Sequence, residues 1–298
     1  AASDVYKRQP VDSDAADQTV SISNGTLTGN INQGADDDSV IIDPTGTYAG
    51  AIDQGTGDDS ISIDIDTGNF TGSTDGNGGT DTIAFNSTVD QTLDGTVPTN
   101  TNYEVLSLDG DSTWTIVPTT PSYDTINLID NTDLAVGSGA TNNADVNGDT
   151  GDNAMTISDT QAGDVALAGG DDAVLFDLDA GGNFTGTVLD GGAHSTGDSI
   201  GFTGTGTYTI DSAPLTAATN FEGLAVSGGG NFTVQDTLDA GITQIDILED
   251  NTELVLTGGN AYTADVMGDG DHQELTVDNA TVNGCLLYTS PSPRDLWI

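Results

Sequence analysis

Apolar residues recur at every second position in short runs, and each run is introduced by an aspartate and a small residue. The phrase stands as Asp38-Ser39-Val40-Ile41-Ile42, Asp59-Ser60-Ile61-Ser62-Ile63, Asp81-Thr82-Ile83-Ala84-Phe85, Asp172-Ala173-Val174-Leu175-Phe176 and Asp198-Ser199-Ile200-Gly201-Phe202. A period of two in β-branched and aromatic residues, bounded by Gly and Asp, predicts strands with one buried face. The first phrases begin 21 (38 to 59) and 22 (59 to 81) residues apart, the length of one structural coil. Between them a second short strand starts near an aromatic, at Thr47-Tyr48-Ala49-Gly50, Asn69-Phe70-Thr71-Gly72 and Asn183-Phe184-Thr185-Gly186. Each coil therefore holds a pair of strands joined by Gly/Asp turns. A single coil cannot bury an apolar face, whereas stacked coils can. The predicted fold is all-β, a parallel β-helix or β-roll-like solenoid of about 21 residues per coil, right-handed because parallel crossovers default to that hand. Helix signals are nearly absent. The best candidate, Leu215 to Leu224 after Pro214, is expected to be a loop or a single turn.

A longer period is laid over the coil. Asn102-Tyr103-Glu104 recurs as Asn220-Phe221-Glu222, an offset of 118, while Asp130-Asn131-Thr132 and Ala144-Asp145-Val146 recur 120 residues on, as Asp250-Asn251-Thr252 and Ala264-Asp265-Val266. This superrepeat of about 118 residues divides the chain into copies at roughly 24–141 and 142–260, with a third, partial copy at 261–284. The ends read differently. Asp4 to Gln9 resembles one translated frame of a sequencing-library adapter, and Cys285 to Ser290 resembles a translated frame of its reverse complement. Residues 1–9 and 285–298 are therefore expected to be adapter-derived and are set aside from fold reasoning, leaving 10–284 as an internal piece of a longer repetitive protein.

Charge narrows the function. The chain has 48 acidic residues against Lys7, Arg8 and Arg294, a net −45, and all the basic residues lie in the end segments. The repetitive part thus carries carboxylates with no cationic side chain to pair them, and must rely on solvent cations or bound metal. Carboxylates about 4 Å apart repel by roughly 4 kcal/mol at an effective dielectric near 20. Nucleic acid is disfavoured as a partner, because phosphate contacts need Lys or Arg, and anionic membrane surfaces are disfavoured for the same reason. The regular alternation argues against disorder. With Cys285 in an end segment, a disulfide framework is excluded. No apolar run approaches the roughly 20 residues of a membrane helix, so membrane insertion of this segment is not expected.

The turn before each Asp-led strand is the strongest candidate for chemistry. Gln54-Gly55-Thr56-Gly57-Asp58-Asp59-Ser60-Ile61-Ser62 and Gly76-Asn77-Gly78-Gly79-Thr80-Asp81-Thr82-Ile83-Ala84 resemble the calcium-binding nonapeptide of repeats-in-toxin proteins, Gly-Gly-x-Gly-x-Asp-x-apolar-x, with Gln54 and Asn77 each replacing a glycine. Gly169-Gly170-Asp171-Asp172-Ala173-Val174 and Asp36-Asp37-Asp38-Ser39-Val40 are looser versions. The resemblance implies calcium ligands at Asp36, Asp38, Asp58, Asp59, Asp81, Asp171, Asp172 and the equivalent Asp198. Glycines let the backbone turn its carbonyls inward, the Asp supplies charged oxygen, and calcium accepts 6 to 8 such ligands. The motif comes about once per 21 residues, however, where tandem nonapeptides would place a turn on both sides of every coil. The competing account is that Gly/Asp turns simply close β-arcs. A second loop pair, Asp145-Val146-Asn147-Gly148-Asp149 and Asp265-Val266-Met267-Gly268-Asp269-Gly270-Asp271, resembles the Asp-x-Asn-x-Asp calcium loop of EF-hands and integrin-type propellers. It implies ligands at Asp145, Asn147, Asp149, Asp265 and Asp269, although Thr156 or Thr276 stands where an EF-hand has Glu, and Met267 replaces an oxygen ligand.

Beyond the turns, Gly79 to Phe85, Asn102 to Leu108 and Ser112-Thr113-Trp114-Thr115-Ile116 are similar to autotransporter-type and repeat-adhesin passengers of Gram-negative surface proteins, a likeness of periodic composition over most of 24–284. It implies a calcium-binding, extracellular structural or adhesive segment on a bacterial cell surface, with calcium as cofactor and glycans or other cell surfaces as partners. A surface-layer segment and a β-helix polysaccharide-active enzyme are the alternatives. No catalytic residues are singled out: polyanion-cleaving enzymes would use Arg or Lys to bind substrate and stabilise charge. His194 and His272 lie in acidic loops and are expected to be surface residues. The Asn-x-Thr triplets are treated as neutral.

Overall fold

In the computed structural model, which describes residues 16–66, 70–94, 99–120, 122–210, 212–235, 238, 241–269 and 272–288, the chain winds into a parallel β-solenoid of about 12 turns with ~21 residues per turn. Helix accounts for about 2% of it. Contacts group the chain into one unit of 1–134 with 143–147, and another of 135–142 with 148–298.

In the first unit, the Asp-led phrases form a parallel sheet of Thr19–Ile22, Ser39–Ile42, Ser60–Asp64, Thr82–Asn86, Val105–Asp109, Thr125–Leu128 and Asp145–Asn147. The alternation becomes columns. Val20, Val40, Ile61, Ile83, Leu106, Ile126 and Val146 stack in register, and beside them run Ile22, Ile42, Ile63, Phe85, Leu108 and Leu128. Val40, Ile61, Ile63, Ile83, Leu106, Leu108 and Val146 are wholly buried. A second parallel sheet, of Thr26–Thr28, Ile31–Ala35, Thr47–Thr56, Phe70–Asp75 and Thr99–Thr101, stacks Tyr48 on Phe70 with ring centroids 5.6 Å apart. Trp114, from the strand Thr113–Ile116, lies against Phe85 at 6.1 Å.

The second unit repeats the plan. Ala154–Ile157, Ala173–Asp177, Ser199–Thr203, Gly223–Ser227, Gln244–Ile247 and Asp265–Gly268 stack Met155, Val174, Ile200, Leu224, Ile245 and Val266 in one column. Phe176 and Phe202 stack at 5.2 Å in the next. A further sheet of Thr207–Ile210, Asn231–Val234, Glu253–Leu256 and Glu274–Val277 aligns Tyr208, Phe232, Leu254 and Leu275.

Three local features refine the picture drawn from the sequence. Around the segment expected to be a loop or a single turn, the chain forms one short helix, Ser212–Ala217, which begins ahead of Pro214. Pro214 falls in its first turn, where the missing N–H costs nothing, and the strand Ala218–Thr219 ends it. Asp145–Asn147 and Asp265–Gly268 are strands, so the first residues of both calcium-loop-like segments belong to a sheet. Val146 and Val266, 0% and 1% exposed, hold them extended because each fills its place in an apolar column. Lastly, Leu286–Tyr288, set aside from the fold, pairs with Asp265–Gly268 as an edge strand, with Leu286 and Leu287 each 51% exposed. An open parallel edge offers unpaired N–H and C=O groups that an apolar tail readily satisfies.

The stacking leaves no room at some glycines. Gly55 sits directly over Gly34 with φ +99°, and a Cβ there would lie 1.9 Å from the Gly34 carbonyl oxygen. Gly55→Ala is therefore expected to destabilise the chain by more than about 1 kcal/mol, through both positive φ and the clash. Chemical denaturation checks this, and a neutral result would mean the two coils are not in contact there.

Candidate functional site

The Asp-led turns build a recurring corner whose two acidic positions point in opposite directions along the stack. The inner aspartate accepts a backbone N–H from the coil before it. In the first unit, Asp38 Oδ1 accepts from Gln18 N (2.7 Å), Asp59 Oδ1 from Asp38 N (2.7 Å), Asp81 Oδ1 from Asp59 N (2.8 Å) and Glu104 Oε2 from Asp81 N (2.9 Å). In the second unit, Asp172 Oδ1 accepts from Asn153 N (2.7 Å), Asp198 Oδ1 from Asp172 N (2.7 Å) and Glu222 Oε2 from Asp198 N (2.9 Å). The outer aspartate, one residue earlier, accepts from the coil after it. Asp37 Oδ1 takes Asp58 N (2.9 Å), Asp58 Oδ1 takes Thr80 N (2.8 Å) and Asp152 Oδ1 takes Asp171 N (2.8 Å). Asp171 Oδ1 accepts from Ser195 N at 2.9 Å and Thr196 N at 2.7 Å, and its Oδ2 accepts from both hydroxyls. An Asp-Asp dipeptide is thus a two-way clamp, supplying acceptors to turn amides that sheet pairing leaves without partners.

The inner and outer carboxylates differ electrically. Asp38, Asp59, Asp81, Asp172 and Asp198 are each at most 2% exposed, and the Oδ2 atom of each has no hydrogen-bond partner among the described residues. Burial raises all of their pKa values, against the lowering effect of the accepted N–H, and neighbouring carboxylates add to the rise. Asp59 and Asp172 are pushed up to about 6. Asp171 moves the opposite way, held well below the usual carboxylate range by the N–H and hydroxyl of Thr196 and then those of Ser195.

The two copies of the Asn-aromatic-Glu segment share their turn geometry and their bonds to a neighbouring aspartate. Asn102 and Asn220 both adopt positive φ, at 58° and 59°, and donate from Nδ2 to Asp75 and Asp190 Oδ1, both at 2.7 Å. Tyr103 and Phe221 are buried beneath them. Gln54, at the first glycine position of the nonapeptide, is a core side chain: its Nε2 donates to Ser60 O (2.8 Å) and its Oε1 accepts from the Tyr103 hydroxyl (2.6 Å). This departure from the calcium motif has a packing role, since Gln54 is 0% exposed and joins the Ser60 carbonyl to the Tyr103 hydroxyl.

The residues expected to hold calcium therefore divide. Asp38, Asp59, Asp81, Asp172 and Asp198 face inward and spend one oxygen each on the backbone. Asp36, Asp58, Asp145, Asn147, Asp265 and Asp269 are exposed, and Asp149 and Asp171 are half-buried. Asp149 Oδ1 accepts Gly151 N at 2.8 Å, closing its own turn. Asp265 Oδ1 accepts Cys285 N at 2.7 Å and Asp269 Oδ1 accepts Glu249 N at 3.0 Å. Gly270 and Asp271 lie outside the described residues.

One constellation is not foreseen from the sequence. His194, predicted as an ordinary loop residue, has Nδ1 3.0 Å from Glu222 Oε2 and 3.7 Å from Asp198 Oδ2. The three ligand-type atoms lie within 4.8 Å of one another. The signal in the sequence is faint: the turn from Gly191 to Asp198 is two residues longer than its counterpart from Gly76 to Asp81, and His194 sits in that longer turn.

No protein-family model, curated protein or solved structure matches this chain. Among the described residues, no helix is long and apolar enough to cross a membrane.

Proposed function

We propose that this chain is a structural, adhesive repeat segment of a large bacterial surface or secreted protein, working outside the cell as a non-enzymatic scaffold stiffened by calcium. The observation that supports it most directly is the two-way carboxylate clamp, which recurs in both units and spends the acidic residues on joining coil to coil. A scaffold needs every turn tied to the next, and here the same short dipeptide does so repeatedly. The clamp leaves a large excess of negative charge on the surface, with net −45. Exposed carboxylates such as Asp36, Asp58 and Asp269 offer the hard oxygen ligands that calcium takes. Ion binding to the folded chain would offset the self-repulsion and stabilise it by mass action.

Thermal melts followed by circular dichroism test this. Millimolar calcium is expected to raise the melting midpoint by several degrees over chelator, and by more than magnesium at matched ionic strength. A midpoint indifferent to calcium removes the ion from the proposal. An adhesive role further requires that the chain retain binding to glycan or cell surfaces in calcium and lose it in chelator.

A further inference from the structure

We infer that His194, Asp198 and Glu222 form a binding site for one divalent transition-metal ion of the zinc type. The ligands come from stacked coils: Asp198 precedes the strand Ser199–Thr203, Glu222 precedes Gly223–Ser227, and Ser199 pairs with Gly223. His194 arrives on the turn that leads into Asp198. A zinc ion with bonds of about 2.1 Å holds tetrahedral ligand atoms about 3.4 Å apart. The Nδ1 separations of 3.0 Å from Glu222 and 3.7 Å from Asp198 fall on either side of that value. A water would take the fourth position, since His194 is exposed.

Two observations bear on this cluster: a buried carboxylate oxygen left over, which it shares with the other inner aspartates, and an imidazole facing that oxygen, which they lack. The Asp198 side chain is 0% exposed, yet its Oδ2, the oxygen that faces His194, has no hydrogen-bond partner among the described residues. A bound cation would satisfy it. The first unit also supplies an internal control: Asp81 and Glu104 make the same N–H to carboxylate bond at 2.9 Å as Asp198 and Glu222. Their shorter turn brings no imidazole, and Asn77 on that turn donates to Asp53 Oδ1 at 2.8 Å instead. The longer turn of the second unit thus converts a structural acidic pair into a nitrogen-and-oxygen donor set. Imidazole with carboxylate suits zinc, cobalt or nickel, whereas calcium prefers an all-oxygen shell.

Titration calorimetry of the full chain with zinc chloride, in excess calcium to occupy non-specific carboxylates, is expected to give one zinc site per chain. Cobalt in its place should give the visible absorption of a low-coordinate site. His194→Ala, at an exposed position that does not threaten folding, should weaken zinc by roughly tenfold or more and abolish the cobalt band; Glu222→Gln should also weaken it. His272→Ala and Cys285→Ser should leave both readouts unchanged. The assignment is overturned if wild type binds no zinc under these conditions, if His194→Ala binds it undiminished, or if the loss follows His272 or Cys285 instead.

Discussion

Lowering the pH from about 7 to about 5, in chelator, is expected to raise the melting midpoint of this chain by several degrees, contrary to the usual fall of stability in acid. The cause is the inner carboxylate column. Burial lifts the folded-state pKa of Asp59 and Asp172 to about 6, above the unfolded value of about 3.9. For a raised group, the stabilising contribution is fully present below the unfolded value and is lost as pH rises through the folded one. Asp38, Asp81 and Asp198 shift in the same direction, burial being the largest cause for each. Neutralising any of them also removes repulsion within the column. Asp171 and Asp164 carry the opposite sign, being lowered mainly by the backbone N–H groups of Thr196 and Thr187. Their contribution is present above the unfolded value and fades as pH falls through the folded one, so a stability maximum is expected between about pH 4 and 6. The double variant Asp59→Asn with Asp172→Asn keeps an Oδ1 to accept the N–H of Asp38 and Asn153 while removing the titration. It should flatten the profile between pH 5 and 7, values set by the same linkage. A wild-type midpoint that stays level or drops on acidification over that window would show the column to be ionised and solvated.

Trp114→Ala should cost about 3–5 kcal/mol, the largest loss expected of any single core change. Trp114 is 0% exposed and stacks on Phe85 with ring planes 19° apart at 6.1 Å. In a solenoid each side chain touches mainly its own coil and the neighbours above and below, so a cavity there has few ways to collapse. The indole Nε1 has no hydrogen-bond partner among the described residues, so Trp114→Phe gives up ring volume but no polar contact. It should cost a fraction of the alanine change. Urea unfolding of the three proteins decides this, and equal losses for Phe and Ala would mean that the indole N–H, not the packing, stabilises the site.

Much of the fold was legible because the repeat is local. The Asp-small-apolar phrase encodes a strand, its start and its buried face in a few consecutive residues, so columns such as Val40, Ile61 and Ile83 follow from the period alone. The EF-hand-like segments were ambiguous because Asp-Val-Asn is compatible with a loop or with an alternating strand. The buried place waiting for Val146 decided between them. The same motif language also hid the roles of the carboxylates: Asp58 and Asp59 are neighbours of one type, yet one is exposed and the other 1% exposed.

The sequence by itself determined the all-β class, the coil length and the identity of the apolar columns, because these depend on side-chain alternation along a strand and on turn spacing. Only the tertiary structure decided which oxygens enter the core, in which direction each clamp points, and that His194 meets Asp198 and Glu222. Those relations join residues from different coils, and their offset depends on the length of each intervening turn. Two extra residues between Gly191 and Asp198 suffice to bring an imidazole onto a carboxylate pair that Asp81 and Glu104 form without one.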